Sequence, residues 1–380
     1  MFRKKIIRTS TVSTSLNTFC RGTLRRLAQT YDVVAVSTPD DELHEMAHRE
    51  GVRAVGVAMR RPISPLHDLS SLLGLIRVFR RERPYMVHSI TPKAGLLSMI
   101  AAWVCRVPVR VHTFTGLVFP TAMGLKKKIL MLTDRITCAC ATHIVPEGEG
   151  VKNDLQQYGI TRKPLRVLGY GNVRGVDMQH YSRTPEVLAA AQPIMRSGVF
   201  TFVFVGRVVR DKGINELVQA FARLHAHVPA TRLVLVGWFE DNLDPVSPQT
   251  RQTIVQNDAI EAVGSQADVR PWLAASDALV FPSYREGFPN VVLEAGAMGL
   301  PSIVTDINGS REIVVEGKNG VIVPPRDADA LYAAMLRFIE APAEVAQMAD
   351  NAREMIASRF EKSFVEQCLF DYYKEILSEG

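Results

Sequence analysis

Pro282-Ser-Tyr-Arg-Glu-Gly-Phe-Pro-Asn-Val-Val-Leu-Glu-Ala-Gly-Ala297 is the stretch that decides the fold of this chain. Directly before it, Ala278–Phe281 is a short apolar run of strand composition. Gly287 and Pro289 then interrupt the chain, and from Asn290 onward the sequence is helix-like. Strand, tight loop and helix in that order form the repeating unit of a parallel α/β sheet. The loop carries a carboxylate, Glu286, and the helix carries another, Glu294, about a turn inside it. Backbone amides left free at such a helix start make an anion site. Carboxylates on either side can accept hydrogen bonds from hydroxyls. Taken alone, a pair of glutamates at this spacing equally describes a solvated helix face.

Moving outward, the same unit recurs. Phe202-Val-Phe-Val-Gly-Arg207 is a buried strand ending in Gly-Arg, and Val-Val-Arg-Asp-Lys212-Gly213 leads into an amphipathic helix. Ligands of parallel sheets bind at the C-terminal edge of the strands, so Arg207 and Lys212 point toward such a crevice. Arg offers a fork for phosphate oxygens and Lys a compact charge, a pair suited to a diphosphate. Further strands are expected at Arg232–Val236, Ser302–Thr305 and Gly320–Val323. In the first half they are expected at Lys5–Thr9, Val33–Ser37, Ala54–Val57, Tyr85–Ser89, Val109–Thr113, His143–Pro146 and Leu165–Gly169. Between the two runs, Gly169–Tyr181 is rich in Gly and polar residues and has no clear period. The expected organisation is one Rossmann-like domain over 1–183, a second over 184–360, and a final helix over 361–380 folding back on the first.

The chain has 380 residues and a net charge of +6, but its halves differ. Residues 1–198 carry 29 Lys and Arg against 14 Asp and Glu, a net +15, whereas 199–380 carry 16 against 25, a net −9. A basic half joined to an acidic one suits a lobe that meets an anionic surface. The basic excess gathers at Arg60-Arg61, at Arg77, Arg80, Arg81 and Arg83, and at Lys126–Lys128. Next to apolar residues such clusters fit anionic lipid, worth about 1 kcal/mol per charge near the surface. No apolar stretch reaches a membrane span, and the N-terminus has no signal-peptide core. Cys20, Cys105, Cys138, Cys140 and Cys368 are read as reduced thiols. Asp327-Ala-Asp329 spells a metal-binding string, yet its place before an apolar helix reads as an N-cap, so no metal and no cofactor are expected.

Gly-Arg-x4-Lys-Gly followed by Glu-x7-Glu, each between a strand and a helix, resembles glycosyltransferase family 4. That resemblance implies the GT-B fold, two facing Rossmann-like domains with a deep interdomain cleft, the domain over 1–183 binding the acceptor and that over 184–360 the nucleotide-sugar. It implies that Arg207 and Lys212 stabilise the nucleotide diphosphate, that Glu286 contacts the donor sugar and that Glu294 contacts the ribose. Gly287, Phe288, Pro289 and Asn290 would line the same ligand, and Val269 would lie near the base. His112, at the end of a strand, matches a family His near the donor sugar and is the candidate catalytic group with Glu286, Arg207 and Lys212. His88 ends the preceding strand and could reach the same crevice. Thr91-Pro-Lys-Ala-Gly-Leu-Leu97 and His112-Thr-Phe-Thr-Gly-Leu117 look like segments of bacterial enzymes that build capsular and O-antigen polysaccharides. Many relatives place a Gly-rich loop after the first strand; here Thr9–Ser15 has none.

The expected activity is therefore retaining transfer of a hexose or N-acetylhexosamine. It would run from a UDP-sugar to a saccharide acceptor linked to a polyprenyl diphosphate, in cell-surface polysaccharide synthesis. The protein would be cytoplasmic and peripheral on the inner face of the plasma membrane. One alternative keeps the fold and changes the reaction to nucleotide-sugar epimerisation or hydrolysis. A basic nucleic-acid-binding protein is the other, but no recognised nucleic-acid motif is present. A dehydrogenase lacks its Gly-x-Gly-x-x-Gly loop.

Overall fold

Strong β-branched and aromatic runs set the strands, and each is followed by a helix that returns the chain to the same sheet edge. The computed structural model describes residues 3–62, 64–242 and 244–378. The chain divides into two units, one holding the residues up to Gly175 and those from Ser363 on, the other Val176–Lys362.

In the first unit the strands are β1 (Lys5–Thr9), β2 (Asp32–Ser37), β3 (Arg53–Gly56), β4 (Met86–Ile90), β5 (Val109–Phe114) and β6 (His143–Pro146). They form one parallel sheet in the order β3-β2-β1-β4-β5-β6. The second unit holds β7 (Phe200–Val205), β8 (Thr231–Val236), β9 (Ile260–Gly264), β10 (Ala278–Phe281), β11 (Ser302–Thr305) and β12 (Gly320–Val323). Their order is β12-β11-β10-β7-β8-β9. Read from β9, this is the same doubly wound order as the first sheet, so each unit has a topological switch point, β1/β4 in one and β7/β10 in the other. Central strands are buried on both faces, as Phe202, Val203 and Phe204 at 0% exposure show for β7. That is why they read as continuous apolar runs rather than alternating ones.

Two strand expectations are corrected. Leu165–Gly169 is not a strand: it makes a single bridge, Ile144 with Leu165, because Pro164 lacks a donor and Gly169 turns into the left-handed region at φ +57°. Ile260–Gly264 is a strand that the sequence did not announce. Among the described residues it sits at the sheet edge and pairs only with β8, and it carries a part-exposed, mixed composition.

The first unit closes at Gly175, earlier than the boundary after 183. Val176 pairs with Glu361, and Val176, Tyr181 and Val187 pack into the second core. At the other end, helix Pro342–Phe360 breaks at Glu361 (ψ 138°), and helix Lys362–Ser378 follows. This last helix belongs to the first core: Phe370, Tyr373, Ile376 and Leu377 pack with Ile6, Val33 and Val111. Tyr373 is fully buried, and its hydroxyl accepts from Arg8 Nη1 at 2.6 Å.

Candidate functional site

Two loops leave the C-terminal edge of the second sheet beside its switch point. After β7 the chain runs through Gly206-Arg207 and a single 3-10 turn, Arg210–Lys212, before helix Ile214–His227. After β10 it runs through Pro282–Pro289 into helix Asn290–Ala297. The loops are stitched together. Tyr284 N–H donates to Asp211 O at 2.9 Å, with Ser283 Oγ 3.3 Å from the same carbonyl, and Arg285 Nε donates to Asp211 Oδ2 at 3.2 Å. Gly213 has φ +72°, and a Cβ there would sit 2.0 Å from Pro282 O, so only glycine lets the loops approach this closely.

This stitching brings Lys212 and Glu286 into a direct ion pair. Ser283 Oγ also donates to Glu286 Oε1, at 2.8 Å, which fixes that carboxylate on two partners. The Lys212 ammonium stands 5.0 Å from the Phe281 ring centroid. Arg207 is exposed and pairs with Glu240 in the loop after β8. Glu240 had drawn no attention in the sequence; its signal is its position at the C-terminal end of β8, on the same sheet edge. Each of the two cations is thus matched by a carboxylate that an anionic ligand would have to displace.

Glu294 lies within helix Asn290–Ala297 and is half-buried. Phe288 is 5% exposed and packs edge-on against Phe360, ring centroids 5.4 Å apart, so it offers a ligand its backbone and not its ring. Gly287 and Pro289 are buried, and Asn290 opens the helix. Gly309 presses on this loop: a Cβ there would lie 2.5 Å from Gly287 O. Val269 occupies the N-cap of helix Arg270–Ala274 and packs partly into the second core. Asp327 caps helix Ala328–Glu340, accepting from Ala330 N–H at 2.8 Å, and Asp329 pairs with Arg223. No group of three or more His, Cys, Asp or Glu side chains converges as a metal site among the described residues.

The two histidines lie in the first unit. His112, on β5, is 1% exposed, with Nδ1 2.8 Å from Ser89 Oγ and its ring edge-on to Phe114. Burial pushes its pKa down to about 3, so it is a neutral imidazole at physiological pH. Its ring lies against helix Pro92–Val104 at Gly95, where a Cβ would meet His112 Cε1 at 2.2 Å. His88, on β4, does not open onto a crevice. Its Nδ1 lies 2.6 Å from Arg8 Nη1 and 2.5 Å from the Tyr373 hydroxyl, and its Nε2 lies 2.7 Å from Thr113 Oγ1. Burial, then the Arg8 charge, hold its pKa well below the ordinary range. With both ring nitrogens engaged, His88 ties the last helix to the sheet.

Known proteins carry the same sequence pattern. Residues 199–341 match the family model described as glycosyl transferases group 1, and residues 15–171 match the glycosyl transferase 4-like domain. The capsular polysaccharide biosynthesis glycosyltransferase CapM of Staphylococcus aureus is 30% identical over all of this chain and 99% of its own length. The chain belongs to the group 1 glycosyl transferases. An Escherichia coli UDP-Gal:alpha-D-GlcNAc-diphosphoundecaprenol alpha-1,3-galactosyltransferase is 28% identical over 82% of this chain and 81% of that one. Among solved structures, Anabaena Alr3699/HepE in complex with UDP aligns with a TM-score of 0.81 and 18% identity, over 98% of this chain and all of that one. That likeness establishes the GT-B fold of this glycosyltransferase. It carries no residue roles with it.

Proposed function

We propose that this glycosyltransferase moves a hexose or N-acetylhexosamine from a UDP-sugar to a saccharide carried on a polyprenyl diphosphate, with retention of anomeric configuration, in cell-surface polysaccharide synthesis. The observation that carries the reading is the pair of ion pairs, Lys212 with Glu286 and Arg207 with Glu240, at the switch point of the second sheet. Two cations beside a helix N-terminus suit a nucleoside diphosphate as ligand and as leaving group. When the diphosphate takes the cations, Glu286 is freed to accept bonds from sugar hydroxyls, and Glu294 to accept from the ribose diol. Gly287, Phe288 and Asn290 supply backbone amides, Pro289 having no N–H to give, and Val269 lies toward the base. Because Glu286 is a positioning group here, the reading needs no protein nucleophile; the departing diphosphate helps deprotonate the acceptor hydroxyl on the same face of the sugar. His112, neutral, serves as a hydrogen-bonding group for the transferred sugar.

The leaving-group charge is met by Arg207, Lys212 and amides, so the reading calls for no metal ion, and turnover should survive EDTA. The acceptor named for the Escherichia coli relative supports a lipid-linked substrate. Placement on the inner face of the plasma membrane is supported by the first unit. Helix Gly124–Cys140 exposes Leu125, Ile129 and Leu132 at i, i+4 and i+7 beside the exposed Lys126 and Lys128. Among the described residues, no helix is long and apolar enough to cross a membrane.

Calorimetric titration with UDP tests the donor site. Arg207→Ala and Lys212→Ala should each weaken UDP about tenfold or more, the worth of a charged hydrogen bond. Near-normal affinity in both variants would sink the diphosphate assignment. Without an added acceptor, a hydrolase of this fold would release UDP and an epimerase would convert the UDP-sugar to its epimer; the transferase should do neither appreciably.

A further inference from the structure

The first sheet has its own switch point, between β1 and β4. Thr11, Val12 and Ser15 follow β1 there, and Thr91, Pro92 and Lys93 follow β4. Between these loops and helix Gly124–Cys140 lies a pocket of about 480 Å3. A saccharide site would present converging donors and acceptors, but much of this wall is aliphatic, made by Leu96, Leu97, Val118, Ile129 and Leu130. Its charged groups are Arg61, Lys93 and Asp68. Lys93 Nζ stands 2.7 Å from Asp68 Oδ1, so the lining holds two cations against one carboxylate, which pairs with Lys93.

The aliphatic wall does not end at a polar rim. Ile129 lines the pocket and also belongs to the exposed stripe of its helix, where Leu125 is 73% and Leu132 55% exposed. On helix Pro65–Glu82, which contributes Asp68 to the pocket, Leu66 and Leu69 are exposed as well. Hydrocarbon therefore runs from the pocket onto an apolar, lysine-flanked surface. A ligand matching this is amphiphilic, with an apolar chain and a multiply charged anionic group at its end.

We propose that this pocket holds the first isoprene units of an isoprenoid diphosphate, the membrane-borne end of the acceptor, with the diphosphate against Lys93 and Arg61. The proposal rests on the lipid-linked acceptor put forward above and assigns it a binding site. The diphosphate competes with Asp68 for Lys93, and the chain passes out over Ile129 toward the lipid.

The test is calorimetric titration of the full chain with farnesyl diphosphate below its micellar concentration, beside inorganic diphosphate and farnesol. Farnesyl diphosphate should bind about tenfold or more tighter than either fragment. Leu96→Glu, a half-buried lining position, should weaken it about tenfold by setting a carboxylate in the apolar wall, with UDP affinity of the same sample unchanged as proof of folding. Lys93→Gln should weaken farnesyl diphosphate and inorganic diphosphate alike. Farnesyl diphosphate no tighter than inorganic diphosphate, or Leu96→Glu binding like the wild type, overturns the pocket. A Leu125→Ser, Leu132→Ser chain should lose anionic phosphatidylglycerol vesicles yet keep farnesyl diphosphate in solution; loss of both would move the binding to the open surface and overturn the proposal. If wild type binds farnesyl diphosphate but not UDP, the donor reading fails and the pocket stands; the reverse outcome sinks the pocket alone.

Discussion

Glu240 shows what a single residue adds that the motif does not contain. Its carboxylate pairs with Arg207, so a diphosphate bound at Arg207 as proposed would compete with it. Exposed pairs of this kind are worth about 0.2–1 kcal/mol, so Glu240→Gln should tighten UDP by about 1.4- to fivefold in a calorimetric titration. Weaker binding would make Glu240 a ligand contact instead. Gly95 carries a second expectation. Alanine is the better helix former by about 1 kcal/mol, yet its Cβ would collide with the His112 ring. Gly95→Ala should therefore cut transfer while UDP affinity, measured in the other unit, stays as it was. At this scale the sequence placed Arg207 and Lys212 after β7 and Glu286 after β10, because charged residues at strand ends stand out, and the structure joins two of them, Lys212 and Glu286. It was misleading for His88. Nothing local says that Arg8 and Tyr373, distant in sequence, will close around that ring.

Among the elements, the last helix shows the reach of tertiary packing. Helix Lys362–Ser378 is held by Tyr373 in the first core, by Arg26 over the Phe370 ring at 4.2 Å and by Lys4 Nζ donating to Leu377 O at 2.6 Å. Tyr373→Phe should cost about 1–3 kcal/mol, since Arg8 and His88 lose a buried partner. Tyr373→Ala should cost about 3–5 kcal/mol through the cavity as well. Denaturant unfolding followed by fluorescence checks both, and equal losses would place the whole effect in the hydroxyl's hydrogen bonds and none in ring packing. The sequence identified eleven of the twelve strands because buried parallel strands read as apolar runs. It missed edge strand Ile260–Gly264 and over-read Leu165–Gly169, two places where pairing with a neighbour, not composition, decides.

For the whole molecule, acid stability follows from the buried imidazoles. His112 has a folded pKa of about 3 against an ordinary 6.5, and His88 is depressed too. Below pH 6.5 the unfolded chain takes up these protons and the folded one does not. The stability they contribute is full above pH 6.5 and is lost as pH falls toward 3, at up to about 1.4 kcal/mol per pH unit for each histidine. Asp134, raised to about 7 by burial, opposes this slope between its folded and ordinary values. The clean measurement is a difference: His112→Asn should lower the pH dependence of the unfolding free energy between pH 6 and 4 by about 1.4 kcal/mol per unit. An unchanged slope would mean that His112 is protonated in the folded protein.

By itself the sequence determined two doubly wound α/β units, their strand order of appearance and the charged residues offered at one sheet edge. Those follow from periodicity, glycine and proline placement and side-chain chemistry, all of which act locally. The sequence also led us to expect the last helix to fold back on the first unit, but only the tertiary structure decided that the chain crosses between units after Gly175 and again after Lys362, and which residues of that helix enter the first core. It alone decided that Lys212 meets Glu286, that Glu240 covers Arg207, and that an aliphatic pocket opens at the first switch point. Each of these is a meeting of residues far apart in the chain. Such meetings depend on which burial satisfies the most apolar surface and polar groups at once, a sum over the whole fold that no single stretch contains.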